Sequence, residues 1–145
     1  MIALLQRVSA ARVDIDQHCV AKIEQGLLVL VAVQVDDTPA QIERCCERIL
    51  NYRVFEDEQG KMNKSLRDIQ AGLLLVPQFT LLADTNKGNR PSFSHNVSAQ
   101  TGQQYFQHLI DYAQKHHPYV QQGHFGADMQ VSLTNDGPAT FWLEV

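Results

Sequence analysis

Gly26-Leu-Leu-Val-Leu-Val-Ala-Val33 is an unbroken apolar run rich in β-branched residues, and it predicts a strand buried on both faces. Upstream, Met1 to Val8 and Ala11 to Ile15 predict two short strands, the second alternating Val13 and Ile15 with Asp14 and Asp16. Val20 to Ile23 is placed to pair back across the turn Asp16-Gln17-His18. Another apolar strand is expected over Ala71 to Val76. At the tail, Asp128 to Leu133 and Ala139 to Leu143 read as two strands joined by Asn135-Asp136-Gly137-Pro138.

Helical spacing occurs twice. Thr38 followed by Pro39 is a helix start, cap then first position, and Ile42, Cys45, Cys46, Ile49 and Leu50 carry the apolar face to about Tyr52. From about Ser98 to His116, Tyr105, Leu109 and Tyr112 are spaced for one face, and Pro118 follows the end. Asp57 to Gly60 reads as a turn and Asp84 to Asn96 as a polar loop. Grouped strands with only two long helices give an α+β fold, a curved mixed or barrel-like sheet with two main helices packed on it. No repeat or linker divides residues 1–145, which form a single domain.

A chain of 145 residues buries roughly two-thirds of its unfolded surface. With 44% hydrophobic and 19% charged residues it folds rather than staying disordered. The run Gly26 to Val33 is too short to cross a bilayer, and Arg7 breaks the first apolar stretch, so neither a membrane span nor a signal segment is expected. That reading is of a soluble, cytoplasmic protein. Cys19, Cys45 and Cys46 are odd in number and two are adjacent, which argues against a disulfide framework. His116 and His117 diverge on a helix and chelate poorly, so no metal or other cofactor is implied. The net charge of −4 requires any nucleic-acid contact to be local.

The chain has no G-x-S-x-G elbow, Walker loop, G-x-G-x-x-G or H-E-x-x-H. Two segments nevertheless serve a fold badly. Pro77 marks a strand end, and Gln78, Phe79 and Thr80 put hydrogen-bonding side chains beside apolar strand. The plainer account is a strand with Gln78 and Thr80 outward and Phe79 inward. Asn135-Asp136-Gly137-Pro138 suits an ordinary hairpin turn. Gly-Pro is also a bond at which the cis form costs only about 0.5–1 kcal/mol.

Together with M-I-A-L-L-Q-R-V (Met1 to Val8), N-Y-R-V-F (Asn51 to Phe55), G-K-M-N (Gly60 to Asn63), G-N-R-P-S-F-S (Gly88 to Ser94) and A-D-M-Q-V-S-L-T-N-D-G-P (Ala127 to Pro138), these segments resemble the D-aminoacyl-tRNA deacylase family, nearly end to end and in the family's order. The resemblance implies ester hydrolysis of D-aminoacyl-tRNA, and of glycyl-tRNA mischarged on other tRNAs. It implies a catalytic site at Gln78, Phe79 and Thr80, with backbone amides holding the oxyanion and help from the terminal 2′-hydroxyl of tRNA. It further implies a homodimer in which a cis Gly137–Pro138 turn, braced by Arg7, enters the partner's active site and excludes L-amino acids. Without it, Arg7 reads as a surface residue on the first strand. One departure stands out: Pro77 occupies the place of the family's serine. Lys61, Lys64, Arg67, Lys87 and Arg90 flank family motifs and are candidate tRNA contacts, the alternative being a solvated face. Pro77 also favours the rival reading, a non-catalytic nucleic-acid-binding or interaction domain on the same fold.

Overall fold

In the computed structural model, which describes residues 1–94 and 96–145, the apolar runs form one curved six-stranded sheet. The two opening strands predicted from sequence are a single bent strand, β1 (Ile2–Ile15). It runs on through Ser9 and Ala10 because a long tail strand, β8 (Gln130–Glu144), pairs with both of its halves. β2 (His18–Ile23) folds back on the second half through a turn in which Asp16 and Gln17 take φ of 49° and 66°. β3 (Gly26–Ala32) flanks the first half antiparallel, and Leu27, Leu28 and Val29 at its centre are fully buried.

From β3 the chain crosses through α1 (Pro39–Asn51), which the Thr38 cap begins with a reciprocal Thr38–Gln41 capping box. Its buried stripe is Ile42, Cys45, Cys46, Ile49 and Leu50, the face the spacing predicts. A small hairpin, β4 (Phe55–Glu56) and β5 (Met62–Lys64), and a single turn, α2 (Leu66–Ile69), precede β6 (Gly72–Pro77). These pieces are too short to leave a periodic signal. β6 lies parallel to β3, and α3 (Ala99–His116) leads to β7 (Val120–Gln122) on its outer side. The buried stripe of α3 is Phe106, Leu109, Ile110 and Ala113, while Tyr105 and Tyr112 sit half-buried at its margin.

Both helices cover one face of the sheet, where Leu5, Leu27, Val29, Leu73 and Leu75 join the main core. On the opposite face the bend of β1 folds Val13, with Ala21 and Ile23 of β2, over Leu28, Leu74 and Val76. β3 and β6 begin at a glycine pair, and a Cβ on Gly26 would stand 1.9 Å from the Gly72 carbonyl oxygen. The tail is not the hairpin the sequence suggests. Asn135 pairs with Val8 and Thr140 with Gln6, so residues 136–139 bulge opposite Arg7 alone.

Candidate functional site

Amides alternate along β6. Gly72 and Gln78 donate toward β3, to the carbonyls of Gln25 (3.0 Å) and Val31 (2.7 Å), whereas Leu73 donates to Tyr119 on the β7 side (2.8 Å). Position 77 faces that second side just beyond Gln122, the last residue of β7, so a proline there ends the ladder where the strand pairing runs out. After Gln78 the backbone leaves the strand and winds into a 3-10 turn, Phe79–Leu82. The alternating-strand reading therefore fails: Phe79 points outward and is 57% exposed. Gln78 Nε2 donates to Thr80 Oγ1. The amides of Phe79 and Thr80 open the turn and have no acceptor within it.

A cleft of about 570 Å³ lies at the carboxyl ends of the parallel strands β3 and β6, a usual place for a crevice in such sheets. Gln78 and Phe79 line one wall, and Gly102, Phe106 and Phe125 line another. A Cβ on Gly102 would meet the Phe125 ring at 2.9 Å, so glycine lets that ring lie against α3. Asn96 also faces the cleft, and its Oδ1 is buried without a hydrogen-bond partner. Sequence reasoning singled out neither Asn96 nor Phe125, because a lone residue in a loop has neither periodicity nor motif.

Gly137 and Pro138 are exposed at the bulge in β8, and the peptide between them is cis. Asn135 staples this turn, accepting from the Ala139 amide and donating to Thr140 Oγ1, both at 2.8 Å. Arg7 is no surface residue. It is 7% exposed and donates from Nε to the Asp136 carbonyl (2.9 Å) and from Nη1 to the Val54 carbonyl (2.8 Å). The second contact ties the turn to the loop after α1.

The two motifs do not meet in one chain, and neither Gly137 nor Pro138 lines the cleft. Arg7, beside the turn, pairs with Leu27, while Gln78 bonds to Val31, four residues further along β3 and therefore about 13 Å away. Crossing from β8 through β1 and β3 to β6 adds three strand spacings, roughly 14 Å.

The five candidate cations divide. Arg67 is held bidentate by Glu47, with both contacts at 2.9 Å, and Lys64 pairs with Glu58 at 2.5 Å. Lys61, Lys87 and Arg90 are exposed, the last two in the loop after the 3-10 turn. The Arg67 guanidinium holds Glu47 below its ordinary value, and burial pushes the Cys45 and Cys46 thiols up to about 11 and about 12. Neither thiol is a nucleophile at neutral pH.

The family model described as D-Tyr-tRNA(Tyr) deacylase matches residues 4–144. A D-aminoacyl-tRNA deacylase from Legionella pneumophila (strain Lens) is 54% identical over 144 residues, covering 99% of both chains. Its counterpart from Pseudomonas entomophila (strain L48) is 54% identical over 145 residues, covering all of both. Among solved structures, one described as c-Myc DNA Unwinding Element Binding Protein superposes with a TM-score of 0.95 at 37% identity, covering 100% of this chain and 99% of that one. A probable eukaryotic D-amino acid tRNA deacylase superposes at 0.88 and 16% identity, covering 99% and 98%, a likeness of fold.

Proposed function

The chain belongs to the D-aminoacyl-tRNA deacylase family and hydrolyses the ester of D-aminoacyl-tRNA, and we propose that it does so at the Gln78–Thr80 turn, completed by the Gly137–Pro138 turn of a second subunit. The non-catalytic alternative gives way, because relatives 54% identical over the whole chain are deacylases. One observation carries the dimer: in a single chain the two motifs are exposed yet lie far apart in the sheet, so a site using both needs two chains.

An aminoacyl ester is already activated, so positioning and oxyanion stabilisation do most of the work. One well-placed donor is worth about 10²–10³ in rate. The Phe79 and Thr80 amides supply such donors beside the cleft. Thr80 has Gln78 as its hydrogen-bond partner, and a neutral amide does not take the hydroxyl's proton. Thr80 accordingly orients the ester rather than attacking it, and water is the nucleophile, helped by the 2′-hydroxyl of the terminal ribose.

Chirality follows from the turn. When the Gly137 and Pro138 carbonyls hold the substrate amine, an L side chain runs into the turn and a D side chain runs to solvent. Glycine has nothing to exclude, so glycyl-tRNA is cleaved too. The reaction belongs where aminoacyl-tRNA is used, in the cytoplasm. No described helix is long and apolar enough to cross a membrane.

The test is a deacylation assay on D-tyrosyl-tRNA run beside filter binding, with Gln78→Ala and Thr80→Ala singly and together. The expected result is strong loss of turnover with retained fold and retained tRNA binding. Wild-type turnover in the folded double variant would remove the site from this turn.

A further inference from the structure

The rim of the cleft carries an aromatic pair that the hydrolysis leaves unused. Phe79 is 57% and Phe93 37% exposed, and their rings meet edge to face with centroids 5.2 Å apart. In such a pair the ring presenting its edge keeps its own faces open. Phe93 follows a loop closed by reciprocal backbone bonds between Asp84 and Ser92, at 2.9 and 3.1 Å. That loop is exposed throughout and carries Lys87 and Arg90, neither ion-paired among the described residues. Its one carboxylate, Asp84, is engaged through Oδ1 by the Asn86 amide (2.9 Å) and Asn86 Nδ2 (2.8 Å). On a chain of net charge −4, open ring faces beside two cations form a local combination with a specific chemistry. Bases stack on aromatic rings without regard to sequence, and phosphates pair with Lys and Arg.

We infer that the Phe79 and Phe93 rings form a stacking platform for an unpaired nucleotide in the 3′ end of the tRNA, with Lys87 and Arg90 against its phosphates. The inference rests on the ester lying at Gln78–Thr80, because the nucleotides just upstream of the ester then pass over this rim. Phe79 serves both surfaces. Its backbone opens the turn at the ester, and its ring faces outward to the platform.

The probe is an uncharged acceptor-stem RNA minihelix with its unpaired 3′ end, compared with the same minihelix made blunt, by fluorescence anisotropy at fixed salt. Phe93→Ala should weaken binding of the overhanging RNA by roughly 5- to 100-fold and leave binding of the blunt RNA as it was. Phe93→Leu, which keeps apolar bulk without a ring, should lose as much, and Phe93→Trp should retain affinity. Equal losses on both RNAs, no loss, or full rescue by leucine would each overturn the platform. So would conversion of a dimer to a monomer by Phe93→Ala in sedimentation, since the pair would then be covered by a second copy of the chain. Because the probe has no ester, a misplaced cleavage site leaves this result standing and shows itself in the turnover of the Gln78 and Thr80 variants.

Discussion

Thr80→Ala and Gly137→Ala, each inactive alone, should restore activity to one another when their subunits are mixed. At Gly137 the φ of +140° suits glycine, and an added Cβ would stand 3.0 Å from both Arg7 Nη2 and the Ala139 amide nitrogen. An alanine held there carries backbone strain on the order of 1–3 kcal/mol. Relief comes by moving the bulge or the Arg7 guanidinium, whose bonds to the Asp136 and Val54 carbonyls fix the turn. In the proposed site either displacement takes the carbonyls off the substrate amine. At Thr80 the substitution removes the hydroxyl that Gln78 holds. In the proposed two-fold dimer, each active site combines Thr80 of one subunit with Gly137 of the other. A mixed dimer therefore has one doubly altered site and one intact site. With one intact site of two, purified mixed dimers are expected to recover about half of wild-type activity, and an unfractionated random mixture about a quarter. The variants would be co-expressed with different tags, mixed dimers isolated by tandem affinity, and initial rates read on D-tyrosyl-tRNA. Mixed dimers no more active than their parents would place both groups in one subunit and refute the shared site.

Pro77→Ser should be tolerated and raise deacylation modestly, since position 77 makes no ladder bond; steady-state rates and melting temperature check it, and a large loss would mean that the backbone there depends on the proline ring. Arg90→Glu should weaken tRNA binding and flatten its salt dependence by about one phosphate's share, read as the slope of log K against log salt. Arg67→Glu should leave that slope nearly unchanged and instead lower stability, because the Arg67 fork is occupied by Glu47. Gly26→Ala forces a Cβ into the Gly72 carbonyl and should destabilise by about 3 kcal/mol or more, seen as a drop of roughly 10 °C in thermal melting; a shift of a degree or two would show that the two strands can spread.

Periodicity revealed what is repetitive. The α1 face and its Thr38 cap, the buried strand Gly26–Ala32 and the Ser98 start of α3 all follow from spacing and cap chemistry that a dozen residues state redundantly. Partnership was hidden. Asp128 to Leu133 and Ala139 to Leu143 look like a hairpin because neighbours in sequence usually pair, and only the long β1 beside them makes both into one strand. The same long-range pairing buries Arg7, whose local context on a strand gives no sign of a carbonyl partner at Asp136. Around the cleft, the Gln78–Thr80 motif was readable as polar residues ill-suited to a strand. Asn96 and Phe125 reach that cleft through loop geometry, which leaves no trace in composition.

A hairpin tip is tethered at one end and can swing, but the Gly137–Pro138 turn interrupts a strand that is clamped on both sides. Asn135 is locked to Val8 and Thr140 to Gln6, so the wall we propose to reject an L side chain is built like a gauge block in a jig. Discrimination by exclusion is only as good as that wall's refusal to yield. Loosening the ladder at Ala10–Thr134 or Gln6–Thr140 should thus admit L-amino acids before it slows removal of D-amino acids. On that proposal accuracy and speed reside in different parts of the sheet, and a variant is expected to lose the first while keeping the second.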